Sequence, residues 1–319
     1  MQVPRAGLRS LRAGSIRLRV GLTVALLTLA AWNPSATWQK TVFDAVVVLD
    51  ITQSMNVTDY RLEGRDASRL DYAKAALSRG LLALPCGSRV GWGIFTEYRI
   101  LLLAAPAEVC ANYGDMIGLL DRIDNRMAWA NASEIGKGVA NAVKAVQALP
   151  SKPGLLFISD GHESPPRHRD ARSPFEAKSG ELRGVLVGVG GDEPRPIPKS
   201  DPEGKPLGFW AENEVTQLAD DASAGSSQAA PQQARSHEHL SAMHEANLIA
   251  LARAGDLNYR RLHALEDMQE ALTLPELSRR RETPVALGPA FAVAALAVIL
   301  SIFAGTMLQR ISRRSQHGT

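Results

Sequence analysis

The sequence lacks the features that would indicate several common classes of protein. Only 2 cysteines, Cys86 and Cys110, occur among the 319 residues, and their spacing matches no zinc motif. The formal net charge is only +3 and the arginines concentrate at the two ends, so the composition does not indicate nucleic-acid binding. Glycines at 188, 190 and 191 lead into Asp192-Glu193-Pro194 rather than a helix, which excludes a dinucleotide-binding loop.

Two apolar segments near the ends of the chain predict attachment to a membrane. Residues 1–36 have an arginine-rich start followed by an apolar run, which is typical of a secretory signal peptide or an uncleaved signal anchor. Residues 285–308 are apolar or small almost throughout and are long enough to form a transmembrane helix. The arginines in the tail, 309–319, indicate a cytoplasmic C-terminus. We therefore expect a membrane-anchored protein whose central domain lies on the opposite side of the membrane from its C-terminal tail.

The apolar runs within these segments, 20–32 and 285–308, contain no ionisable residue, which argues against a channel or a transporter. The domain between them is therefore expected to carry the function. Cys86 and Cys110 both lie in this domain, where they would form either a disulfide or two buried thiols, and the sequence leaves both alternatives open.

Predicted strands alternate with predicted helices over residues 40–274. Apolar strand-like runs end near residues 49, 159, 189 and 262, and segments with helical periodicity separate them. Two further strands, 89–95 and 99–104, are so close in sequence that only antiparallel pairing is possible, at an edge of the sheet. The pattern predicts an α/β fold, a doubly wound, mostly parallel, Rossmann-like sheet with one antiparallel edge strand. Residues from about 192 to 242 lose periodicity and are predicted to form an irregular insert.

Oxygen-bearing side chains follow two of the predicted buried strands. Asp50 ends the run 45–49, and Thr52 and Ser54 follow at alternate positions. Asp160 comes directly after the strand 154–159, and Ser133 precedes a predicted helix. The carboxyl ends of central strands are where open α/β sheets place their ligand sites. Oxygen ligands suit a hard divalent cation, Mg²⁺, Mn²⁺ or Ca²⁺, although each residue alone would also fit a turn or a helix cap.

The order of these residues resembles the von Willebrand factor A-type (VWA) domain. The matching elements are Asp50-x-Thr52-x-Ser54, the hydroxyl of Ser133 two residues before Ile135-Gly136, and Asp160 within Ser159-Asp160-Gly161. The resemblance implies a metal-ion-dependent adhesion site in which all five side chains bind a divalent cation directly or through water. It also implies that a carboxylate of a partner protein fills the open coordination position. Thr52 and Ser133 replace the usual Ser and Thr, and both substitutions keep the hydroxyl.

Three wider stretches are similar to the VWA proteins encoded with bacterial methanol dehydrogenase, of the MxaL type. These stretches are DITQSMNVTDY, LPCGSRVGWGIFTEY and MAWANASEIGKG. The resemblance implies a non-catalytic accessory role in the maturation of a periplasmic methanol dehydrogenase, by calcium insertion or assembly. The implied partners are that dehydrogenase, other VWA accessory proteins and a MoxR-like ATPase.

Three alternatives remain at the level of sequence. Haloacid-dehalogenase-type phosphatases also place an aspartate, here Asp50, at the end of the central strand, but Thr52 stands where their second aspartate acts as general acid and base. A VWA scaffold with an unused metal site is the second alternative. The third is a separate transition-metal site formed by His237-Glu238-His239 with His244, for which a polar loop or a helix start is the more common explanation.

Overall fold

The computed structural model describes residues 5–166, 183–215 and 238–315, with side chains described from residue 16 to residue 304 within those ranges. The elements run in the order α1 (Arg5–Trp32), β1 (Ser35–Asp50), β2 (Tyr60–Leu62), β3 (Arg65–Ala67), α2 (Arg69–Ala83), β4 (Arg89–Thr96), β5 (Arg99–Glu108), α3 (Val109–Arg122), α4 (Ile135–Gln147), β6 (Gly154–Ser159) and β7 (Gly184–Gly188). The chain continues through β8 (Arg195–Pro196), β9 (Pro198–Ser200), β10 (Pro206–Phe209), β11 (Leu240–Ser241), α5 (Glu245–Ala254), β12 (Asn258–Arg261), α6 (Asp267–Leu272), β13 (Ser278–Ala286) and α7 (Gly288–Ser315).

The main sheet has the strand order β12-β7-β6-β1-β4-β5, and β13 also pairs with β1. The pairs β12–β7, β7–β6, β6–β1 and β1–β4 are all parallel. Only Glu97 and Tyr98 separate β4 from β5, so β5 runs antiparallel at the edge. The predicted mixed α/β sheet, mostly parallel with one antiparallel edge strand, is therefore confirmed.

Both faces of the sheet are covered by helices, because the central strands are apolar at every position. Val46 and Val48 of β1 face a core that also contains residues of α4 and α5, while Val47 and Leu49 face the core shared with α2, α3 and α6. These four valine and leucine side chains are at most 1% exposed. A strand buried on both faces explains why the run has no alternation of polar and apolar residues.

The predicted element positions agree with the structure to within a few residues over most of the domain. The largest differences lie outside the core. Ser278–Ala286 forms a strand that its charged sequence did not suggest, and the predicted insert contains the short pairs β8–β11 and β9–β10. The Ala/Ser/Gln-rich stretch predicted within that insert, 220–235, lies outside the described residues.

The chain divides into two compact units, 1–40 with 281–319 and 41–280. In the first unit α1 packs along α7, and Arg19 Nη1 donates to the carbonyl of Ser301. Among the described residues, no helix is long and apolar enough to cross a membrane. α7 begins at Gly288 and includes most of the segment 285–308 that was predicted to form a transmembrane helix, a prediction that this finding does not support.

The two cysteines, whose state the sequence left open, form a disulfide. Cys86 follows α2 and Cys110 lies in the first turn of α3, with their Cα atoms 5.3 Å apart. The bond encloses the β4–β5 hairpin and links the turn after α2 to the first turn of α3, so it stabilises the edge of the sheet.

Candidate metal centre

The two aspartates predicted to bind metal lie side by side at the carboxyl edge of the sheet. Leu49 of β1 is in register with Ile158 of β6, and the two strands are parallel. Asp50 and the pair Ser159-Asp160 therefore leave the sheet at the same edge. Both aspartates are completely buried.

A network of hydrogen bonds orders the first loop around Asp50. Its Oδ1 accepts from the backbone N–H of Thr52 at 2.9 Å and from the Thr52 hydroxyl at 2.7 Å. Its Oδ2 accepts from the hydroxyl of Ser159 at 2.7 Å. The Thr52 and Ser54 hydroxyl oxygens are 3.3 Å apart. A hydroxyl that donates its hydrogen to a carboxylate keeps its oxygen lone pairs available for a cation, so this loop is arranged as a ligand shell.

Backbone hydrogen bonds hold Ser133, the third residue with a predicted hydroxyl ligand, in the loop before α4. Its N–H donates to the Ser164 carbonyl at 2.7 Å, and its carbonyl accepts from the Ser164 N–H at 2.9 Å. The neighbouring Glu134 N–H donates to the carbonyl of Glu97, so the loop is held from both sides. The Ser133 Oγ is buried, lines the same cleft as Thr52 and Ser54, and has no hydrogen-bond partner among the described residues. A buried hydroxyl without a hydrogen-bond partner, in the same cleft as two other hydroxyls, fits a metal ligand better than a helix cap.

Asp160 is held by a buried arginine that the sequence did not single out. Arg69, the first residue of α2, lies 2.6 Å from Asp160 Oδ2 and 2.7 Å from Asp59 Oδ2, and its side chain is 0% exposed. The hydroxyl of Ser241 in β11 donates to Asp160 Oδ2 at 3.1 Å. The other oxygen, Oδ1, accepts from the His162 N–H at 3.0 Å. Asp160 is therefore fixed mainly by protein groups, which favours contact with a cation through water.

The two aspartates differ in electrostatic state because of these neighbours. Burial, together with the charge of Asp160, raises the pKa of Asp50 to about 7. Burial would raise the pKa of Asp160 as well, but the Arg69 guanidinium outweighs it and holds that pKa below its usual value. Burial lowers the pKa of His162 to about 4, so its imidazole is neutral at pH 7. A divalent cation would therefore meet one ionised carboxylate and one that readily loses its proton.

All five residues predicted from the sequence are at the same end of the sheet, and all are at most 3% exposed. Sequence reasoning missed Arg69, Ser241 and Asp59, because only the fold brings them to Asp160.

The alternative histidine site is not supported: His244 packs edge-on against His162 at 5.2 Å, and His237 lies outside the described residues. Among the described residues, the only cluster of metal-ligating side chains that includes a histidine or cysteine is that of Cys86, Glu108 and Cys110, whose cysteines form the disulfide.

The arrangement suits binding rather than nucleophilic catalysis. Both oxygens of Asp50 already accept hydrogen bonds, and the side chain is 0% exposed. A carboxylate nucleophile must reach its substrate, with a general acid or base nearby. The equivalent of that second group is Thr52, whose hydroxyl donates to Asp50. The phosphatase alternative therefore gains no support from the geometry.

The fold of this chain is similar to several solved protein structures. An aerotolerance-related membrane protein from Bacteroides fragilis is 18% identical, with a TM-score of 0.48, over 72% of this chain and 96% of its own. BatB from Bacteroides thetaiotaomicron is 19% identical, with a TM-score of 0.48, over 72% and 94%. The ArnB paralog VWA2 from Sulfolobus acidocaldarius is 14% identical, with a TM-score of 0.29, over 49% and 37%.

No protein-family model and no curated protein matches the sequence. Because the identities and TM-scores of the solved structures are low, these similarities carry no argument about what this chain binds. The residues that converge at the carboxyl edge of the sheet are the ground for any statement of function.

Proposed function

We propose that the domain is a VWA-type binding module that docks a partner protein through a divalent cation. The observation that carries the proposal is the buried Ser133 hydroxyl, which has no hydrogen-bond partner among the described residues and lines the same cleft as Thr52 and Ser54. Asp50, Thr52, Ser54, Ser133 and Asp160 would hold the ion, and Mg²⁺, Mn²⁺ and Ca²⁺ all accept such oxygen ligands. The cation would supply a positive charge that attracts a carboxylate of the partner. The role of this chain's own residues is to position the ion and to exclude water from one side of it.

We also propose that the domain works in the bacterial periplasm at the inner membrane. The arginine-rich start with its apolar run supports export. The Cys86–Cys110 disulfide supports an oxidising compartment. The resemblance to MxaL-type proteins supports a client among the periplasmic methanol dehydrogenases and their accessory proteins, with a MoxR-like ATPase as a further partner.

Co-purification from detergent-solubilised membranes, with each partner quantified, tests this function. The full chain and its Ser133→Ala variant are purified in Mg²⁺ and then in a chelator. We expect a methanol dehydrogenase or its accessory proteins to be retained by the wild type only in Mg²⁺, and to be retained far less by the variant.

A Ser151→Ala variant is the matched control. Ser151 lies just before β6, at the opposite edge of the sheet from the proposed site, so this variant should behave as the wild type does. Retention of the same partners in chelator, or by Ser133→Ala as well as by the control, would contradict the proposed metal-dependent docking.

A further inference from the structure

A hairpin of the insert forms one wall of the proposed metal centre. β9 and β10 pair antiparallel, and Trp210 follows directly after β10. The indole Nε1 of Trp210 donates to Gln53 Oε1, and Gln53 Nε2 donates to Asn131 Oδ1 at 3.0 Å. Gln53 stands between Thr52 and Ser54, so the hairpin wall is attached to the metal-binding loop itself.

The cleft between this wall and the metal loops is lined by two chemically different kinds of group. Thr52, Ser54 and Ser133 contribute hydroxyls, whereas Ile197 and Trp210 contribute apolar surface. Its volume is about 260 Å³. Pockets for drug-sized ligands and cofactors are commonly about 300–1,000 Å³. The cleft is therefore of a size for one or two side chains of a protein segment.

The charges of the wall discriminate between acidic ligands. Glu214 lines the cleft, and its carboxylate is bound by the ammonium of Lys199 at 2.6 Å. The same ammonium lies 4.5 Å from the centre of the Trp210 ring. Lys199 and Glu214 thus neutralise each other, and Glu238 adds an acidic group to the lining. A single carboxylate would be attracted by the cation, whereas additional acidic side chains would gain no net attraction from the Lys199–Glu214 pair.

We propose that this cleft is the docking site for a partner segment that carries one aspartate or glutamate next to a large apolar side chain. The carboxylate completes the coordination of the cation, and the apolar side chain packs against Trp210 and Ile197. Trp210 is then the residue that determines which carboxylate-bearing segments bind. This inference rests on the proposed metal-dependent docking, because the cation provides the attraction for the carboxylate.

Fluorescence polarisation with three defined peptides and the full chain tests the inference. The first peptide has a single aspartate followed by leucine and phenylalanine between glycines. The second replaces the aspartate with asparagine, and the third replaces the leucine and phenylalanine with glutamates. The affinity of each peptide is measured in Mg²⁺ and in a chelator, for the wild type, Trp210→Ala and Trp210→Phe. Trp38→Ala is the control, because Trp38 is an exposed tryptophan of the other unit.

We expect the wild type to bind the first peptide in Mg²⁺ at least about tenfold more tightly than the other two, as aromatic anchors at interfaces commonly provide. Trp210→Ala should remove this preference, whereas Trp210→Phe, which keeps the apolar wall, and Trp38→Ala should retain it. Equal Mg²⁺-dependent binding of the first and third peptides, unaffected by Trp210→Ala, would overturn the inference and leave the metal docking intact. Binding that is the same in chelator, or no binding of any peptide, would overturn both.

Discussion

Removal of the Arg69 guanidinium is expected to destabilise the domain severely. Arg69→Met leaves two buried carboxylates, Asp59 and Asp160, without their cation, and their side chains are only 3% and 0% exposed. Breaking a buried ion pair by deleting one partner typically costs about 3–5 kcal/mol. Because whole domains are stable by only about 5–15 kcal/mol, this single change would remove a large part of the free energy of unfolding.

The assay is urea unfolding in chelator, followed by tryptophan fluorescence, to which the buried Trp92 contributes. Arg79→Met is the matched control, because Arg79 lies on the same helix and pairs with Glu266 at 2.9 Å, but both side chains are more than half exposed. Exposed pairs contribute little, so the control should unfold close to the wild type. If Arg69→Met and Arg79→Met lower the free energy of unfolding by similar amounts, the reasoning from the buried triad is refuted.

Three further predictions follow from separate parts of the structure. Replacing Cys86 and Cys110 with serine should lower the free energy of unfolding by about 3 kcal/mol, measured by urea denaturation, because the disulfide restricts the unfolded chain; an unchanged midpoint would contradict this. Gly138→Ala should lower the free energy of unfolding by about 1–2 kcal/mol, despite the helix propensity of alanine, because the new Cβ would overlap the Phe95 ring. Gly118→Ala, whose Cβ meets no neighbouring atom, should instead raise that free energy by up to about 1 kcal/mol in the same assay. Equal effects of the two substitutions would contradict the packing argument. Burial raises the pKa of Asp50 to about 7, and a cation binds the ionised carboxylate. The affinity for Mg²⁺ should therefore fall about tenfold per pH unit as the pH drops below about 7. Calorimetry that gives a constant affinity from pH 8 to pH 5.5 would contradict this prediction.

The fold was predictable where the sequence pattern is local and strong. The run 45–49 is apolar at every position, which indicates a strand covered on both faces, and the structure confirms it. The antiparallel edge followed from the short connection between two strands. Ser278–Ala286 was missed because three successive arginines and a glutamate give it no apolar strand pattern, whereas the structure pairs this strand with β1.

The candidate site was predictable only in part. The order of hydroxyls and carboxylates along the chain indicated the five proposed ligands. Arg69 could not be found in this way, since its partners lie 10, 91 and 172 residues away in sequence. The wall formed by Trp210 could not be found either, because it depends on how an aperiodic insert folds back onto Gln53.

Direct titration of the full chain with Mg²⁺ by calorimetry tests the central claim most directly. The account predicts that the wild type and Ser151→Ala each bind one ion per chain. Asp50→Asn, which removes a charged ligand, should abolish binding, and Ser133→Ala, which removes a neutral ligand, should weaken it at least about tenfold. Binding that is identical in all four proteins, or no binding by a folded wild type, would contradict the assignment of these residues to a metal centre.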